Sequence, residues 1–356
     1  MRAIDALVVS AGPGEARIAM MSAGRVVEFA IDRGELGPGD ILAGRVVEVS
    51  PALGAAFVEI GDALPAFLAK ANGLGVGQGL LVEVALAARA GKGAEVKRAP
   101  QGSAPRRRSA FERVFADHPE IASVSVDAAS ALPRLRTLFP QATLAADCFE
   151  ESGAADALEG ALARRADLAG GGALIFAETE AATLIDIDGG GLAPAAANLA
   201  AMPEIARQLR LRAIGGHILI DAIPSRERGA TAKSMSVLRA ALAGDPAPAQ
   251  LAGRTPLGMI ELTRRRRGPS LAETMLEPSA AAPNPLTLAF DGLRALLREA
   301  AARPAAALGL SLPPRAASAL RRREDALAET ARLLGRNVIL VERRELDRFA
   351  IEELAR

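Results

Sequence analysis

Short apolar runs alternate with helical repeats along this chain, a pattern typical of α/β proteins with several domains. The first 30 residues predict alternating strands, with turns at Gly12-Pro13-Gly14 and at Gly24. Apolar residues at helical spacing predict helices over residues 111–115, 129–138, 154–163, 286–301 and 314–334. We therefore expect mixed strands and helices throughout, with no single repeating unit.

A different texture covers residues 41–97, where short apolar strands are separated by glycines. Five such strands in about 60 residues predict a small closed barrel of the OB type. Barrels of this type bind single-stranded nucleic acid by stacking bases on aromatic rings beside basic side chains. The candidates are Phe57 and Phe67, with Arg45 and Lys92. Because phenylalanine is usually buried, the alternative that both rings fill the barrel core stays open.

Two short β-branched runs end in carboxylates and are separated by one amphipathic helix. The first ends in Asp186 and Asp188, which share a strand face because they are two residues apart. The second ends in Asp221. A strand–helix–strand unit places such tips side by side when its strands are parallel neighbours. Converging carboxylates favour a hard cation, Mg²⁺ or Mn²⁺, over zinc. Aspartates at strand ends also occur in turns and helix caps, and that alternative stays open.

The overall charge argues against a uniformly basic nucleic-acid binder, because the formal net charge of the 356 residues is only +1. The length suggests two or three domains with ample core. The chain lacks Trp and Tyr, so base stacking depends on phenylalanine and arginine. Local arginine clusters can bind phosphates even when the total charge is near zero. They are Arg106–Arg108, Arg264–Arg267 and Arg321–Arg323.

The single cysteine, Cys148, excludes an intrachain disulfide and a cysteine-based zinc site within one chain. The N-terminal residues lack the apolar core of a signal peptide, and no run of 18 apolar residues occurs. We therefore expect a soluble cytoplasmic protein with no membrane attachment.

Several motifs occur together in a fixed order. They are Gly54-Ala-Ala-Phe57-Val, Thr179-Glu-Ala-Ala-Thr-Leu-Ile-Asp186-Ile-Asp188, Glu204-Ile-Ala-Arg-Gln-Leu-Arg-Leu-Arg212, Gly215-Gly-His-Ile-Leu-Ile-Asp221 and Leu257-Gly-Met-Ile-Glu-Leu-Thr-Arg-Arg-Arg. With this order, the chain resembles the catalytic half of the ribonuclease E/G family of bacterial endoribonucleases. The resemblance covers nearly the whole chain and is weakest around residues 100–165.

The resemblance implies a division of the α/β chain into subdomains. An RNase H-like subdomain would comprise residues 1–36 and 109–168. It would be interrupted by an OB-fold RNA-binding barrel in residues 37–98 and a linker in residues 99–108. A DNase I-like catalytic subdomain would follow in residues 169–277, and then a small α/β C-terminal domain in residues 278–356.

The resemblance also implies roles for the aspartates. Asp186 and Asp221 would hold a catalytic Mg²⁺, with Mn²⁺ as an alternative, that orients water or hydroxide for attack on RNA and leaves a 5′-phosphate. Asp188 stands where the family has asparagine, so it is expected to act as a third ligand or as a nearby base.

The arginine cluster at residues 264–267 directly follows an apolar strand within a matching motif. Arg264, Arg265 and Arg266 are expected to clamp RNA phosphates, because guanidinium groups bind phosphate oxygens bidentately. The usual fate of a charge run is a solvated surface, which stays as the alternative.

Other family features are missing from this sequence. Only about a dozen residues join Lys97 to Phe111, too few for the domain that reads a 5′-monophosphate in the family. Pro256 stands where the family has an arginine that contacts the same phosphate. The family's zinc-binding cysteines are replaced by Glu277-Pro-Ser-Ala-Ala-Ala-Pro283, and Pro224 replaces an aspartate. We therefore expect no zinc and a monomer or homodimer.

Two functions follow from these residues. The first is a Mg²⁺-dependent endoribonuclease that cleaves single-stranded RNA during processing or decay, independently of the 5′ end. The alternative is an RNA-binding protein of the same fold with weak or no catalysis.

Overall fold

The computed structural model describes residues 4–89, 91–278 and 280–354. The chain begins with three antiparallel strands that form a meander. They are β1 (Ala6–Gly12), β2 (Glu15–Ser22) and β3 (Arg25–Asp32). Leu7 and Val9 point to one face while Val8 points to the other, and all three side chains are buried. Both faces of this sheet are therefore covered, which explains its nearly continuous apolar sequence.

The next five strands close into a barrel, as the sequence predicts. They are β4 (Ile41–Ser50), β5 (Ala55–Glu59), β6 (Ala66–Ala69), β7 (Gly79–Leu86) and β8 (Glu95–Arg98). The strand order around the barrel is β4-β5-β6-β8-β7. Its interior is filled by small and branched residues, among them Val46, Ala56, Val58, Leu68 and Val82. A closed five-stranded barrel of this size fits an OB-like fold.

After the barrel the chain returns to the first sheet. The elements are α1 (Ala110–Asp117), β9 (Ser123–Val126), α2 (Leu132–Leu138), β10 (Thr143–Leu144), α3 (Cys148–Glu151) and α4 (Ala154–Leu162). α1 begins at a capping box in which Ser109 and Glu112 satisfy each other's backbone amides. β9 pairs in parallel with β1, which gives the sheet order β10-β9-β1-β2-β3. The barrel is therefore an insertion in this mixed sheet.

A second sheet of six strands carries the aspartates. Its elements are β11 (Arg165–Asp167), β12 (Ala173–Glu178), β13 (Ala182–Asp188), α5 (Pro194–Leu211), β14 (Gly216–Asp221), α6 (Ala230–Leu242), β15 (Ala249–Arg254), β16 (Ile260–Arg264) and α7 (Leu271–Met275). The order is β11-β12-β13-β14-β16-β15. Because β11 pairs with β12, the boundary expected between residues 168 and 169 falls after the first strand of this sheet.

The C-terminal elements form a small layer of their own. They are β17 (Leu276–Glu277), β18 (Ala280–Pro283), α8 (Pro285–Ala302), β19 (Leu308–Leu312), α9 (Pro314–Arg321), α10 (Glu324–Leu334), β20 (Leu340–Glu342) and β21 (Ala350–Glu353). The single helix expected over residues 314–334 is two helices, because the chain turns at Arg322 and Arg323. β19 lies between β20 and β21.

A buried ionic cluster joins the C-terminal layer to the first sheet. Glu15 on β2 pairs with Arg17 (2.7 Å), Arg33 (2.8 Å) and Arg294 of α8 (3.4 Å). Burial alone would raise the pKa of Glu15, but the three arginines lower it to about 2. This carboxylate therefore stays ionised and fixes α8 against the sheet. In the described part of the chain, no helix is both long and apolar enough to cross a lipid bilayer.

Candidate active site

Asp186 and Asp221 lie side by side near the ends of two parallel strands. β13 and β14 are neighbours, and Asp186 is paired in register with Asp221. Because neighbouring strands are about 4.8 Å apart, the two carboxylates emerge next to each other on one face of the sheet. Ile185 and Ile220 point to the opposite face and are at most 1% exposed. The structure thus brings together the two residues that the sequence predicts as metal ligands.

The face that bears these carboxylates is open. Helices α5 and α6 supply Met202, Ile205 and Leu238 to the core on the other side of the sheet. On the open side, Asp186 and Asp221 are exposed, and Leu184 is 38% exposed. An extended ligand could therefore lie directly across the strands.

Asp188, the third predicted residue, has other partners. Its carboxylate accepts hydrogen bonds from the Gly190 amide (3.0 Å) and from Nη1 of Arg165 on β11 (3.3 Å). The amide bond, followed by Arg165, lowers the pKa of Asp188. Arg165 also pairs with Asp167 (3.0 Å). Asp188 therefore organises a turn and holds a guanidinium on the open face beside Asp186.

The donor set at this site fits a magnesium ion. Among the described residues, no group of three or more His, Cys, Asp and Glu side chains is placed to hold a metal. Mg²⁺, however, is commonly bound by only one or two carboxylates and completes its shell with water and phosphate oxygens. The pair Asp186 and Asp221 meets that requirement, whereas a site formed only of protein ligands would need more donors.

Asn198 on α5 fastens the chain just after Asp221. Its Nδ2 donates to the Ile223 carbonyl (2.8 Å), and the Ile223 amide donates to its Oδ1 (3.0 Å). The Asn198 residue is only 6% exposed. Gly189 also packs against Ile223, because a Cβ on Gly189 would lie only 3.0 Å from Cδ1 of Ile223. The segments that follow Asp188 and Asp221 are thereby joined to one helix.

Two glycine-rich turns meet next to Asp188. Gly172 has a φ of +85°, and a Cβ there would lie 2.3 Å from the Asp188 carbonyl oxygen. Gly190 has a φ of +53°, and a Cβ there would lie 2.2 Å from the Gly172 nitrogen. Both the backbone conformation and the close approach require glycine. These turns therefore fix where β13 ends.

Phe57 and Phe67 form one aromatic pair on the outside of the barrel. They are register partners on β5 and β6, with ring centroids 5.9 Å apart in an edge-on arrangement. Their neighbours Val58 and Leu68 fill the core, whereas both phenylalanines are half-buried. The rings thus lie outside the barrel core, where a base can reach them.

The basic candidates of the barrel differ in their position relative to these rings. Lys92 is exposed in the β7–β8 turn and pairs through its backbone with Arg89. Ala94, two residues further on, accepts a hydrogen bond from the Phe67 amide (2.7 Å), so Lys92 and Phe67 belong to the same end of the barrel. Arg45 is exposed on β4, opposite Glu59.

The structure corrects the expectation for Arg264. This residue is 6% exposed, and its guanidinium binds both oxygens of Asp245 (2.8 and 2.9 Å) and the Ile214 carbonyl (2.6 Å). Arg264 follows Ile260 and Leu262 on the buried side of β16, so strand alternation turns it inward. It stabilises the sheet, and its burial and its pairing with Asp245 make it unsuited to a phosphate clamp.

Arg265 and Arg266 have separate positions. Arg265 is exposed and borders a shallow pocket of about 340 Å³ beside His217 and Gln250. Arg266 lies half-buried against Gly215 and Gly216, where a Cβ would come within 3.0 Å of its side chain. Burial, followed by repulsion from another arginine, lowers the pKa of Arg266.

These arginines are far from the aspartates. Gly216, at the start of β14, pairs with Arg264, whereas Asp221 ends the same strand. Five residues of strand correspond to roughly 17 Å. Arg265 and Arg266 are therefore too far away to contact a phosphate held by Asp186 and Asp221.

Arg165 and Asp167 were not identified from the sequence, and no role was assigned to Asn198. Arg165 lies in a three-residue strand that has no periodic signal. Asn198 has the position of an ordinary helix residue, and only the fold shows its bonds to Ile223. The paired carboxylates of Asp167 and Asp188 around Arg165 likewise become visible only when β11 is placed at the sheet edge.

Comparison with known proteins finds similarity to one family over the middle of the chain. Residues 106–267 match the model of the Ribonuclease E/G family. The chain is 40% identical over 125 residues to Ribonuclease E of Nostoc sp., which covers 33% of this chain and 18% of that protein. It is 35% identical over 126 residues to Ribonuclease G of Salmonella typhimurium (33% and 26%). Identity to the chloroplastic Ribonuclease E/G-like protein of Arabidopsis thaliana is 34% over 131 residues (34% and 13%).

The matched segment contains both aspartate strands, α5 and the end of β16. Through this segment the chain is similar to the ribonuclease E/G family. The matches cover about a quarter or less of the length of these relatives.

Proposed function

We propose that this protein is a Mg²⁺-dependent endoribonuclease that cleaves single-stranded RNA. The observation that carries the proposal is the in-register pair Asp186 and Asp221 on an open sheet face, within the segment shared with the ribonuclease E/G family. In this proposal, the two sheets are the RNase H-like and DNase I-like subdomains implied by the sequence resemblance.

Asp186 and Asp221 would hold Mg²⁺, which supplies a Lewis acid and an activated water at the scissile phosphate. The chain itself keeps the two carboxylates at one strand spacing through β13, β14 and the Asn198 bridge. Arg165 lies two strands from Asp186, at roughly 10 Å. Its exposed guanidinium is suited to contact a phosphate next to the one that reacts. Asp188 would then act as the partner that holds Arg165 in place.

The barrel would supply the second part of substrate binding. Phe57 and Phe67 offer half-exposed ring surface for stacking, and Lys92 lies at the same end of the barrel. Arg45 on β4 and the exposed Arg265 after β16 would add further phosphate contacts. Stacking on such rings tolerates any base, so this surface favours single strands over a particular sequence.

We further propose that cleavage is internal, leaves a 5′-phosphate and does not depend on the 5′ end. β8 ends at Arg98 and α1 begins at Ala110, so the connection between them is too short for a separate phosphate-reading domain. Pro256, in the turn between β15 and β16, has no side-chain donor. A 5′-monophosphate would then gain no contact that a 5′-hydroxyl lacks.

The second candidate function is RNA binding with weak or no turnover. It is favoured by the limited number of carboxylates at the site and by the engagement of Asp188 with Arg165. Under this alternative, the barrel and the open sheet face would hold RNA without cutting it.

One assay separates the two functions. A labelled single-stranded RNA is incubated with the protein in Mg²⁺ or in EDTA, and products are resolved by length and end group. We expect cleavage only with Mg²⁺, 5′-phosphate ends, and loss of cleavage but retained binding in Asp186→Asn and Asp221→Asn. Binding without products at saturating Mg²⁺ would establish the alternative. Wild-type rates in either variant would contradict the site assignment.

Zinc and oligomeric state stay predictions. Cys148 lies buried against the Val9 carbonyl (3.8 Å), and burial raises the pKa of its thiol to about 11. Such a thiol is poorly suited to bind a metal. We expect no stoichiometric zinc in elemental analysis and an assembly no larger than a dimer in light scattering. About one zinc per two chains would overturn this expectation.

A further inference from the structure

A large cleft lies away from the aspartates, where the first sheet, the barrel and the C-terminal helices meet. Its volume is about 1120 Å³. Its walls are formed by the chain from β3 to the barrel, the β7–β8 turn, α1, the segment after β16 and the end of α9. Ten arginines and six acidic residues line it.

Six of these arginines are neutralised within the protein and serve its structure. Each pairs with a carboxylate of the same chain. The pairs are Arg33–Glu15, Arg113–Asp40, Arg210–Glu28, Arg264–Asp245, Arg267–Asp117 and Arg323–Asp325.

The other four, Arg89, Arg107, Arg108 and Arg322, have no carboxylate partner among the described residues. Arg322 is exposed at the end of α9. Arg107 donates only to the Gly34 carbonyl. The Nε of Arg108 is buried without any hydrogen-bond partner. A buried donor without an acceptor is costly, so an anion that accepts from Arg108 would be stabilised in the cleft.

The acidic residues of the cleft do not offset these four arginines through contact. Asp32 accepts from the Gly34 and Ala110 amides, and Asp62 accepts from the Ala63 amide. Glu273 caps α7. Glu28 and Asp117 are paired with Arg210 and Arg267. Glu35 is the sixth acidic residue of the cleft.

We propose that this cleft is a second RNA-binding site, which holds backbone phosphates of single-stranded RNA upstream or downstream of the aspartate pair. Four guanidinium groups spread over several walls match a chain of repeated phosphates and not one small anion. The proposal rests on the proposed RNA-binding function.

The occupant is RNA because the cleft continues into surfaces proposed to bind it. Arg89 belongs to the same turn as Lys92, so the cleft adjoins the stacking end of the barrel. Its opposite wall includes Arg264, at the far end of the sheet that bears Asp221. Arg264 and Asp221 are at opposite ends of this sheet, roughly 17 Å apart. Only a longer RNA can therefore occupy both sites.

The test measures RNA binding in EDTA, where no cleavage occurs. Fluorescence anisotropy at several salt concentrations compares the wild type with a variant in which Arg89, Arg107, Arg108 and Arg322 are all glutamine. Two RNAs are used, one within the roughly 4–16 nucleotides that an OB fold covers and one well beyond it. The control variant replaces four exposed arginines outside the cleft, Arg239, Arg332, Arg344 and Arg348, with glutamine.

For the long RNA, the cleft variant should bind at least tenfold more weakly. Its slope of log affinity against log salt should fall by roughly 3, at about 0.7 per lost phosphate contact. The short RNA and the control variant should change little. Equal losses in both variants, or an unchanged slope for the long RNA, would overturn the proposal.

If the fourfold variant does not fold, Arg322→Gln alone decides the question, because this side chain is exposed. Its slope should fall by about 0.7 for the long RNA only. Because binding is read without metal, the cleft can be established even if the wild type proves inactive as a nuclease.

Discussion

Replacing Asn198 with alanine tests whether the active-site geometry depends on one buried side chain. Asn198 is bound to both backbone groups of Ile223, two residues after Asp221. Asp221 is the last residue of β14 and pairs with Asp186, whereas Asp186 also pairs with β12 on its other side. The substitution therefore loosens the segment that follows Asp221, so Asp221 is the carboxylate expected to shift.

The expected magnitude follows from the two hydrogen bonds, of 2.8 and 3.0 Å, in a nearly buried environment. Each contributes about 0.5–1.5 kcal/mol, and leaving the Ile223 amide and carbonyl without partners adds about 1–3 kcal/mol. A loss of 1.4 kcal/mol in metal affinity corresponds to a tenfold change in its binding constant. We therefore expect the Mg²⁺ concentration for half-maximal cleavage to rise about tenfold or more.

The assay titrates Mg²⁺ at fixed RNA and measures the initial rate, with unfolding followed in parallel. Thr330→Val is the matched control, because Thr330 is fully buried and its hydroxyl donates to Ala326 in α10, far from the site. This control should lose stability without changing the Mg²⁺ dependence. If Asn198→Ala lowers stability but keeps the wild-type Mg²⁺ midpoint, Asn198 has only a structural role and the reasoning is refuted.

Four further outcomes are expected. Phe57→Ala or Phe67→Ala should weaken single-strand binding by roughly 1–3 kcal/mol with little change in Tm; a large drop in Tm would instead indicate core rings. Asp188→Asn should keep cleavage at saturating Mg²⁺ but weaken the hold on Arg165; an inactive variant would make Asp188 a direct ligand. The folded-state pKa of Glu15, about 2, is below its ordinary 4.5. The ionised Glu15 therefore contributes about 3 kcal/mol to the free energy of unfolding above pH 4.5, and this contribution is lost as the pH falls toward 2. In urea unfolding at several pH values, Glu15→Gln should lack this part of the acid dependence. RNAs with 5′-hydroxyl and 5′-monophosphate ends should be cut at similar rates; a tenfold preference for the monophosphate would contradict the absence of end recognition.

The aspartate pair could be predicted because its signals are local. Alternation along β13 places Asp186 opposite in orientation to Ile185, and a strand–helix–strand unit almost always returns to the same sheet in one hand. The barrel was predictable for a similar reason, since glycine-separated short strands leave few other closed arrangements. In both cases the information lies within about 60 residues.

Helix boundaries in the C-terminal layer were harder to predict. Apolar residues keep helical spacing across residues 314–334, yet the chain turns at Arg322 and Arg323. Arg323 there donates to the Gly14 carbonyl (3.0 Å) and stacks over Phe290. Its partners come from the first turn of the protein and from α8. A tertiary contact thus overrides a local pattern, which periodicity alone cannot reveal.

The arginine cluster at residues 264–267 depends on both the local sequence pattern and tertiary contacts. The inward direction of Arg264 could have been read from its place two residues after Leu262, since alternation continues through the strand end. Its partner Asp245, and the Asp117 that binds Arg267, could not, because they come from other parts of the chain. Charge runs should therefore be divided by strand parity before they are assigned to a ligand.

Ion pairs formed on folding also explain why net charge is a weak guide to nucleic-acid binding in this protein. Most of the arginines in the cleft are neutralised by carboxylates that fold with them, so they add to composition but not to the field that a ligand meets. Binding depends on the guanidinium groups left without a carboxylate partner, and a total of +1 does not reveal them. A polyanion responds to those nearby groups because screening limits attraction to about 10 Å at ordinary salt. The relevant quantity is thus the unpaired charge within one screening length of the ligand, which only the folded structure defines.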